Sequence, residues 1–197
     1  MELDKQDTIQ SKLEFLDKVN FNYLFDKVDI YTTRFNNNTY AEIVRYKENK
    51  NIKGTLYSTT RKFPMNASTD KYLFILEMNN DVNRIMGIGF LKNYLSKDQS
   101  LIVYKNPVYN NYIYKSMFHI QFVDHNLDWL PYIEDTSKDF IINEFEKKIF
   151  YGKSNLKRGN SFSRFPIKKM NKEHLKFLCS LFITLNPNNF NNIVSFY

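Results

Sequence analysis

The stretch Lys71–Asn93, KYLFILEMNNDVNRIMGIGFLKN, decides the predicted fold. It contains two apolar runs rich in aromatic and β-branched side chains, separated by the turn-forming cluster Asn79–Asn83. Similar short runs lie on either side of it: LYSTTRKF before it, and SLIVYK and NYIYKSMFHIQFV after it. Four or five strands with short connections predict a mixed or antiparallel sheet, or a small barrel, between residues 55 and 123.

Helical patterns flank this β-rich core. Before residue 55, apolar side chains three and four positions apart predict helix, and Thr39-x-x-Glu42 has the form of a capping box. After the core, helices are predicted at about 138–149 and 172–183, the second capped by Asn171. We therefore predict a single α+β domain over residues 1–197. Its expected parts are a helical N-terminal extension (1–54), a β-rich core with a basic loop (55–170), and a C-terminal helix and tail (171–197).

The composition excludes several classes of protein. Hydrophobic residues make up 43% of the 197 residues and charged residues 25%, which is typical of a globular domain rather than a disordered chain. The single cysteine, Cys179, excludes an internal disulfide and a four-cysteine zinc site, and its place on an apolar helix face predicts a core residue. We find neither a signal-peptide pattern nor an 18-residue apolar run, so we expect an intracellular, cytoplasmic protein without membrane contact, located in the host cytoplasm or the virion if it is viral.

A codon bias affects the counts of several residue types. The chain has 25 Asn, 22 Lys, 18 Phe, 17 Ile and 14 Tyr, but only two Ala. All five enriched residues have AT-rich codons, as in the genomes of some large DNA viruses, protists and bacteria. The positions of these residues therefore carry more information than their numbers.

The positive charge is concentrated in one window. The net charge is +7, yet residues 147–172 hold nine basic residues and no acidic one, and the rest of the chain has 19 basic and 21 acidic residues. Concentrated cations attract polyanions because phosphate binding releases condensed counterions. The candidate phosphate contacts in this window are Lys153, Lys157, Arg158, Arg164, Lys168 and Lys169.

A second interpretation of the same charges stays open. Asp124–Glu146 carries seven acidic residues against Lys138 alone, so the basic window could be neutralised within the fold. It could also dock an acidic protein partner, with the acidic segment mediating self-association. The alternative hypothesis is therefore a structural or adaptor protein, such as a minor virion component or a complex subunit.

Catalytic and cofactor motifs are incomplete in this sequence. Gly152-Lys153-Ser154 resembles the end of a phosphate-binding loop, but Lys147 occupies the place of the required first glycine. Gly87-Ile88-Gly89 lacks the third glycine of a dinucleotide fingerprint, and these glycines instead predict close packing within a strand. The three histidines lack metal-ligand spacing, and no G-x-S-x-G turn is present. We therefore predict neither an enzyme nor a bound cofactor.

Three segments resemble the PUA-like superfamily, particularly its EVE and YTH branches. They are KYLFILEMNND, NRIMGIGFLKN and KSMFHIQFVDHNLDWLPYI, followed by the basic segment GKSNLKRGNSFSRF, and together they cover about residues 55–166. The resemblance implies a small mixed barrel with flanking helices that binds RNA or modified DNA without catalysis. In the YTH branch a cage built largely of tryptophans surrounds a methylated base, whereas this chain has Trp129 alone.

Several single residues complete the predicted interface. Candidates for contact with bases or a pocket rim are Asn83, Arg84, Trp129 and Tyr132. Trp129 fits a core anchor as well as a base platform, and Phe162 and Phe165 fit either stacking beside Arg164 or anchoring of the loop. Our prediction is a non-catalytic nucleic-acid-binding module, with RNA favoured over DNA.

Overall fold

The computed structural model describes residues 26–122, 135–158, 161–166 and 169–185, with isolated positions Ser11, Glu14, Lys18 and Asn22 before them. These four positions have helical backbone, whereas the apolar helix face predicted between residues 13 and 24 lies outside the described residues. Trp129, Tyr132 and Lys168 also lie outside them.

Seven strands, three helices and one 3-10 turn follow one another in the described ranges. In chain order they are β1 (Val28–Phe35), α1 (Asn37–Asn49), β2 (Thr55–Thr59), β3 (Tyr72–Asn79), β4 (Arg84–Lys92), the 3-10 turn (Pro107–Asn110), β5 (Tyr112–Ser116), β6 (Phe118–Gln121), α2 (Asp135–Phe150), β7 (Phe162–Arg164) and α3 (Lys172–Leu185). The predicted C-terminal helices are thus confirmed to within a few residues. Within these ranges no helix is both long and apolar enough to cross a membrane.

The strands form an open mixed sheet and a separate two-stranded ribbon. The sheet has the order β6-β4-β3-β1-β7, with β1 parallel to β3 and every other pair antiparallel. The ribbon consists of β2 and β5. The prediction of an α+β fold with a mixed sheet is confirmed. The expected barrel is wrong for the described residues, because β6 and β7 lie at opposite edges of the sheet.

Strand β1 corrects the predicted helical extension over residues 1–54. Its sequence VDIYTTRF is rich in β-branched and aromatic residues, and seven of its eight residues are buried. Val28 and Ile30 pack on one side of the sheet and Tyr31 and Phe35 on the other, so both faces of the strand are covered and its apolar residues do not alternate with polar ones. The prediction of helix throughout the N-terminal region therefore missed strand β1, which lies inside the sheet.

Helix α1 begins one turn earlier than its predicted cap. Asn36 is the N-cap: its side chain accepts from the Thr39 N–H at 2.8 Å, and the Thr39 hydroxyl accepts from the Asn36 N–H at 3.0 Å. Thr39 is therefore the third helical residue of the capping box rather than its first member. At α3 the predicted cap is confirmed, since Asn171 Oδ1 accepts from the His174 N–H at 3.0 Å.

The run SLIVYK was predicted as a strand and forms none. The Asn110 side chain takes the place of a partner strand there: its Oδ1 accepts from the N–H groups of Val103 and Tyr104, both at 3.0 Å. Its Nδ2 donates to the Tyr104 carbonyl at 2.8 Å. The backbone of this run is therefore satisfied locally by a residue of the 3-10 turn.

The sheet separates two hydrophobic cores. On one face, Phe74, Leu76 and Met78 of β3 pack against α2 and α3, where Cys179 is fully buried as predicted. On the other face, Leu73 and Ile75 pack against α1 and the β2–β5 ribbon. The alternation along β3 makes a carboxylate, Glu77, the next residue to face the second core, and it is buried.

Close packing explains the glycine pair of β4, as predicted. A Cβ on Gly89 would overlap the Tyr57 hydroxyl and lie 2.9 Å from Thr55 Oγ1, so Gly89 lets β2 cross directly over the sheet. A Cβ on Gly87 would lie 2.6 Å from the Ile120 carbonyl oxygen. The two glycines thus bring the ribbon and β6 close to β4, the strand next to the one that carries the buried carboxylate.

Candidate nucleic-acid interface

A cationic loop follows helix α2. The helix ends with Lys147 and Lys148 in its last turn, where positive charge complements the helix dipole. Gly152 then has φ +80°, a conformation that favours glycine and turns the chain out of the helix. We call residues 153–158 the basic loop; within it Lys153 and Arg158 are exposed and Lys157 is half-buried.

Lys157 holds the basic loop against the sheet through its main chain and side chain. Its carbonyl oxygen accepts from Arg34 Nη1 at 3.1 Å and from Asn80 Nδ2 at 3.3 Å. Its ammonium donates to Asn83 Oδ1 at 2.6 Å. The end of β1 and the β3–β4 turn therefore position the loop.

Asn83 has two roles: it forms part of the β3–β4 turn, and it bonds to the basic loop. Its φ of 55° lies in the left-handed region, which asparagine tolerates better than most side chains. Its side-chain oxygen is directed at Lys157, so the turn predicted between the two central strands also supports the cationic segment.

A polar cavity of about 510 Å³ adjoins the anchored loop. Arg34 and Asn80, the two residues that hold the Lys157 carbonyl, line it. The exposed Arg61 and the partly exposed ring of Tyr109 also contribute to its wall, together with hydroxyl groups from β1 and β2. We call this space the arginine cavity. Its donors and its aromatic ring are the groups that phosphates and unpaired bases bind.

Three of the predicted phosphate contacts form hydrogen bonds or ion pairs within the fold. Arg164 pairs with the buried Asp29 at 2.7 Å, joining β7 to β1. Lys169 donates to the carbonyl oxygens of Lys148 and Ser154, at 3.2 and 3.0 Å, and so links the basic loop to the end of α2. Lys157 donates to Asn83, as described above.

Arg84, a predicted rim residue, faces helix α2. Its Nε lies 3.6 Å from Glu146 Oε1, and that oxygen also accepts from the Ile85 N–H at 2.9 Å. Burial raises the pKa of Glu146, an effect that the Ile85 hydrogen bond and Arg84 oppose. Arg84 therefore compensates a buried carboxyl where β4 meets α2.

The phenylalanines of the basic window are core anchors. Phe162 and Phe165 are each 1% exposed. Phe162 stacks on Phe63 with ring centroids 3.7 Å apart, and Phe165 packs edge-on against Phe145 at 5.4 Å. Neither ring offers a face to a base, so the stacking alternative for this pair is wrong. Their burial on both sides of the sheet keeps β7 in place.

Sequence reasoning missed the cavity residues Arg34, Arg61 and Tyr109. Arg34 lies in the strand that the sequence did not predict, and Tyr109 lies in the 3-10 turn. The scarcity of arginine was a usable signal. Only six of the 28 basic residues are arginines, and three of the six (Arg34, Arg61 and Arg158) lie around the arginine cavity and the basic loop.

In comparisons with known proteins, no family model, no curated protein and no solved structure matches the chain. The described ranges also contain no group of three or more His, Cys, Asp or Glu side chains placed to hold a metal ion. The groups that define the candidate interface are thus its own cations, hydroxyl groups and aromatic ring.

Proposed function

We propose that this protein is a non-catalytic nucleic-acid-binding module that binds RNA through the basic loop and the arginine cavity. One observation carries the proposal: the Lys157 carbonyl is held by Arg34 and Asn80, both of which line the arginine cavity. The proposed phosphate contacts of the basic loop and the proposed base site are therefore neighbours.

The free cations of the loop supply the electrostatic part of the proposed contact. Lys153 and Arg158 are exposed, and neither forms an ion pair with another described residue. Other cations of the window are already paired, as Arg164 is with Asp29 and Lys148 with Glu144. Neutralisation of backbone phosphates by Lys153 and Arg158 would release counterions and favour binding at low salt.

The arginine cavity supplies the proposed base contact. Tyr109 is 39% exposed, and its ring centroid lies 5.7 Å from that of Tyr104, which packs against it. The Tyr109 ring is therefore accessible to a ligand and held in place by Tyr104. Proteins that read RNA bind unpaired bases by stacking them on such rings and pairing with their edges. The resemblance of residues 55–166 to the PUA-like superfamily supports RNA as the favoured polymer.

The proposal is tested by fluorescence anisotropy with short labelled oligonucleotides. We expect single-stranded RNA to bind more tightly than single-stranded DNA of the same sequence or duplex RNA. The variant K153A/R158A should bind RNA more weakly by about tenfold or more, since each phosphate contact contributes a charge-assisted interaction. The control K50A/K97A removes the same charge from exposed lysines outside the basic window and should bind like the wild type.

Two results would overturn the proposal. Equal affinities for the two double variants would show that the basic loop is not the contact surface. Failure of the wild type to bind any of the three oligonucleotides at low salt would instead favour the adaptor hypothesis, in which the same loop docks an acidic protein.

A further inference from the structure

A second polar cluster is buried between the sheet and the β2–β5 ribbon. Its centre is the carboxylate of Glu77, which is 5% exposed. Glu77 Oε1 accepts from the Tyr57 hydroxyl at 2.8 Å and lies 2.9 Å from His119 Nε2. His119 Nδ1 in turn lies 3.2 Å from the ammonium of Lys47. Because these four side chains come from β3, β2, β6 and α1, no sequence motif predicts the cluster.

The hydrogen-bond geometry assigns a role to each ring nitrogen of His119. The Glu77 carboxylate accepts a hydrogen bond from His119 Nε2, so Nε2 carries the hydrogen. His119 Nδ1 then presents a lone pair towards Lys47. An amine, a base within hydrogen-bond distance and a carboxylate that orients the base form the arrangement by which proteins activate a nucleophile. The side chains of His119 and Glu77 are 7% and 6% exposed, so the base is held in this orientation.

The cluster opens into a cavity of about 320 Å³. Lys47, His119 and Glu77 all line it. Much of the remaining wall is apolar and is formed by Phe35, Ile43, Ile52 and Leu56. A group the size of a water molecule occupies about 30 Å³, so the space holds a molecule of roughly ten heavy atoms or fewer. The cavity therefore fits a small compound with both polar and apolar parts beside the Lys47 amine.

The surroundings of Lys47 favour its neutral, nucleophilic form. Burial lowers the pKa of the Lys47 ammonium, while the charge of Glu77 opposes this effect. Burial alone would raise the pKa of Glu77, but its contact with His119, followed by the Lys47 charge and the Tyr57 hydrogen bond, holds it below its ordinary value. The other titratable groups lining the cavity are Tyr40, Glu48 and Lys53.

We propose that Lys47 forms an imine with a small aldehyde or ketone that enters this cavity, with His119 as the proton acceptor and Glu77 as its positioning residue. The proposal does not depend on nucleic-acid binding, because it rests on a different cavity and on none of the residues of the basic loop. It makes Lys47 a site of reversible covalent modification.

The reaction balances without an oxidant or a reductant. The Lys47 ammonium transfers a proton to His119 Nδ1, and the freed nitrogen lone pair attacks the carbonyl carbon as the C–O π pair moves to oxygen. His119 returns the proton to that oxygen, removes a second proton from nitrogen, and delivers it as the C–O bond breaks. The products are a protonated imine on Lys47 and one molecule of water.

The test treats the full chain with dilute butyraldehyde and sodium cyanoborohydride, which reduces an imine to a stable secondary amine. Peptide mapping by mass spectrometry then gives the labelling rate of each lysine. We expect Lys47 to be labelled severalfold faster at neutral pH than the exposed Lys50 and Lys97, because burial lowers the pKa of Lys47 and His119 lies in position to accept its proton. A Lys47 rate equal to or below theirs would overturn the proposal, and this comparison needs no variant.

Two variants test the roles of the partners. His119→Gln should slow labelling at Lys47 by about tenfold or more and leave the exposed lysines unchanged, because it removes the proton acceptor. Glu77→Gln should shift the pH profile of Lys47 labelling without abolishing it. Unchanged rates and profiles in both variants would exclude the proposed roles of His119 and Glu77. Near-ultraviolet circular dichroism establishes that each variant is folded.

Discussion

The carbonyl oxygen of Lys157 accepts a hydrogen bond from Arg34 across a sequence separation of 123 residues. This contact joins the central strand β1 to the basic loop and brings the loop beside the arginine cavity. A loop held in this way loses less conformational entropy on binding than a free one, which would favour the proposed contact with a phosphate backbone.

Truncation of Arg164 should reduce stability. Arg164→Ala leaves the carboxylate of Asp29 buried without its cation, which we expect to lower the free energy of unfolding by about 1–3 kcal/mol because Arg164 itself is partly exposed. Urea denaturation measures the change. Adding Asp29→Asn should recover part of the loss, since it removes the buried charge. An Arg164→Ala variant as stable as the wild type would show that the pair contributes nothing to folding.

Phe162→Ala should behave as a core substitution. Phe162 is 1% exposed and contacts Phe63, Tyr57 and Tyr114, so we expect a loss of about 3–5 kcal/mol in the free energy of unfolding. RNA affinity per folded molecule should stay unchanged. A variant of wild-type stability that binds RNA weakly would contradict the anchor role.

The glycines at positions 89 and 152 should respond differently to alanine. Gly89→Ala forces a Cβ into Tyr57 and Thr55, and we expect it to cost about 1–3 kcal/mol of stability. At Gly152 nothing lies within 4 Å of the added Cβ, so only its positive φ matters and the expected cost is about 1 kcal/mol. Thermal denaturation of both variants compares them, and an equal or reversed order would contradict the close packing at Gly89.

His174 should make stability depend on pH. Burial, followed by the positive charge of Lys148, lowers its pKa from 6.5 to about 4, and its Nδ1 accepts from the Asn171 N–H. Between pH 4 and 6.5 the unfolded chain binds a proton at this residue that the folded chain does not, so stability rises with pH across this window. The variant His174→Gln should reduce that rise when unfolding is measured at both ends of the window. Identical pH dependence in the variant and the wild type would contradict this contribution.

The hydrophobic period predicted the parts of the fold where one face of an element meets solvent or where turn residues bound a run. It located β3, β4, α2 and α3. It failed for β1, which is covered on both faces and shows no alternation. It also failed for the run SLIVYK, because the composition of this run is typical of a strand, whereas its backbone bonds to the nearby Asn110 side chain instead of a partner strand.

The candidate site was predictable as a charged segment but not as a set of free cations. The charge distribution located the basic loop. Whether a cation is free depends on partners far along the chain: Asp29 lies 135 residues from Arg164, and Asn83 lies 74 residues from Lys157. The Glu77–His119–Lys47 cluster was equally hidden, since three different elements bring these side chains together.

The salt dependence of RNA affinity tests the central claim most directly. Plots of log affinity against log salt concentration should be compared for the wild type, K153A/R158A and the charge-matched K50A/K97A. We predict that the slope for K153A/R158A is smaller by about one to two units, because up to two phosphate contacts are lost, while the control keeps the wild-type slope. Equal slopes for all three proteins would contradict phosphate binding by the basic loop.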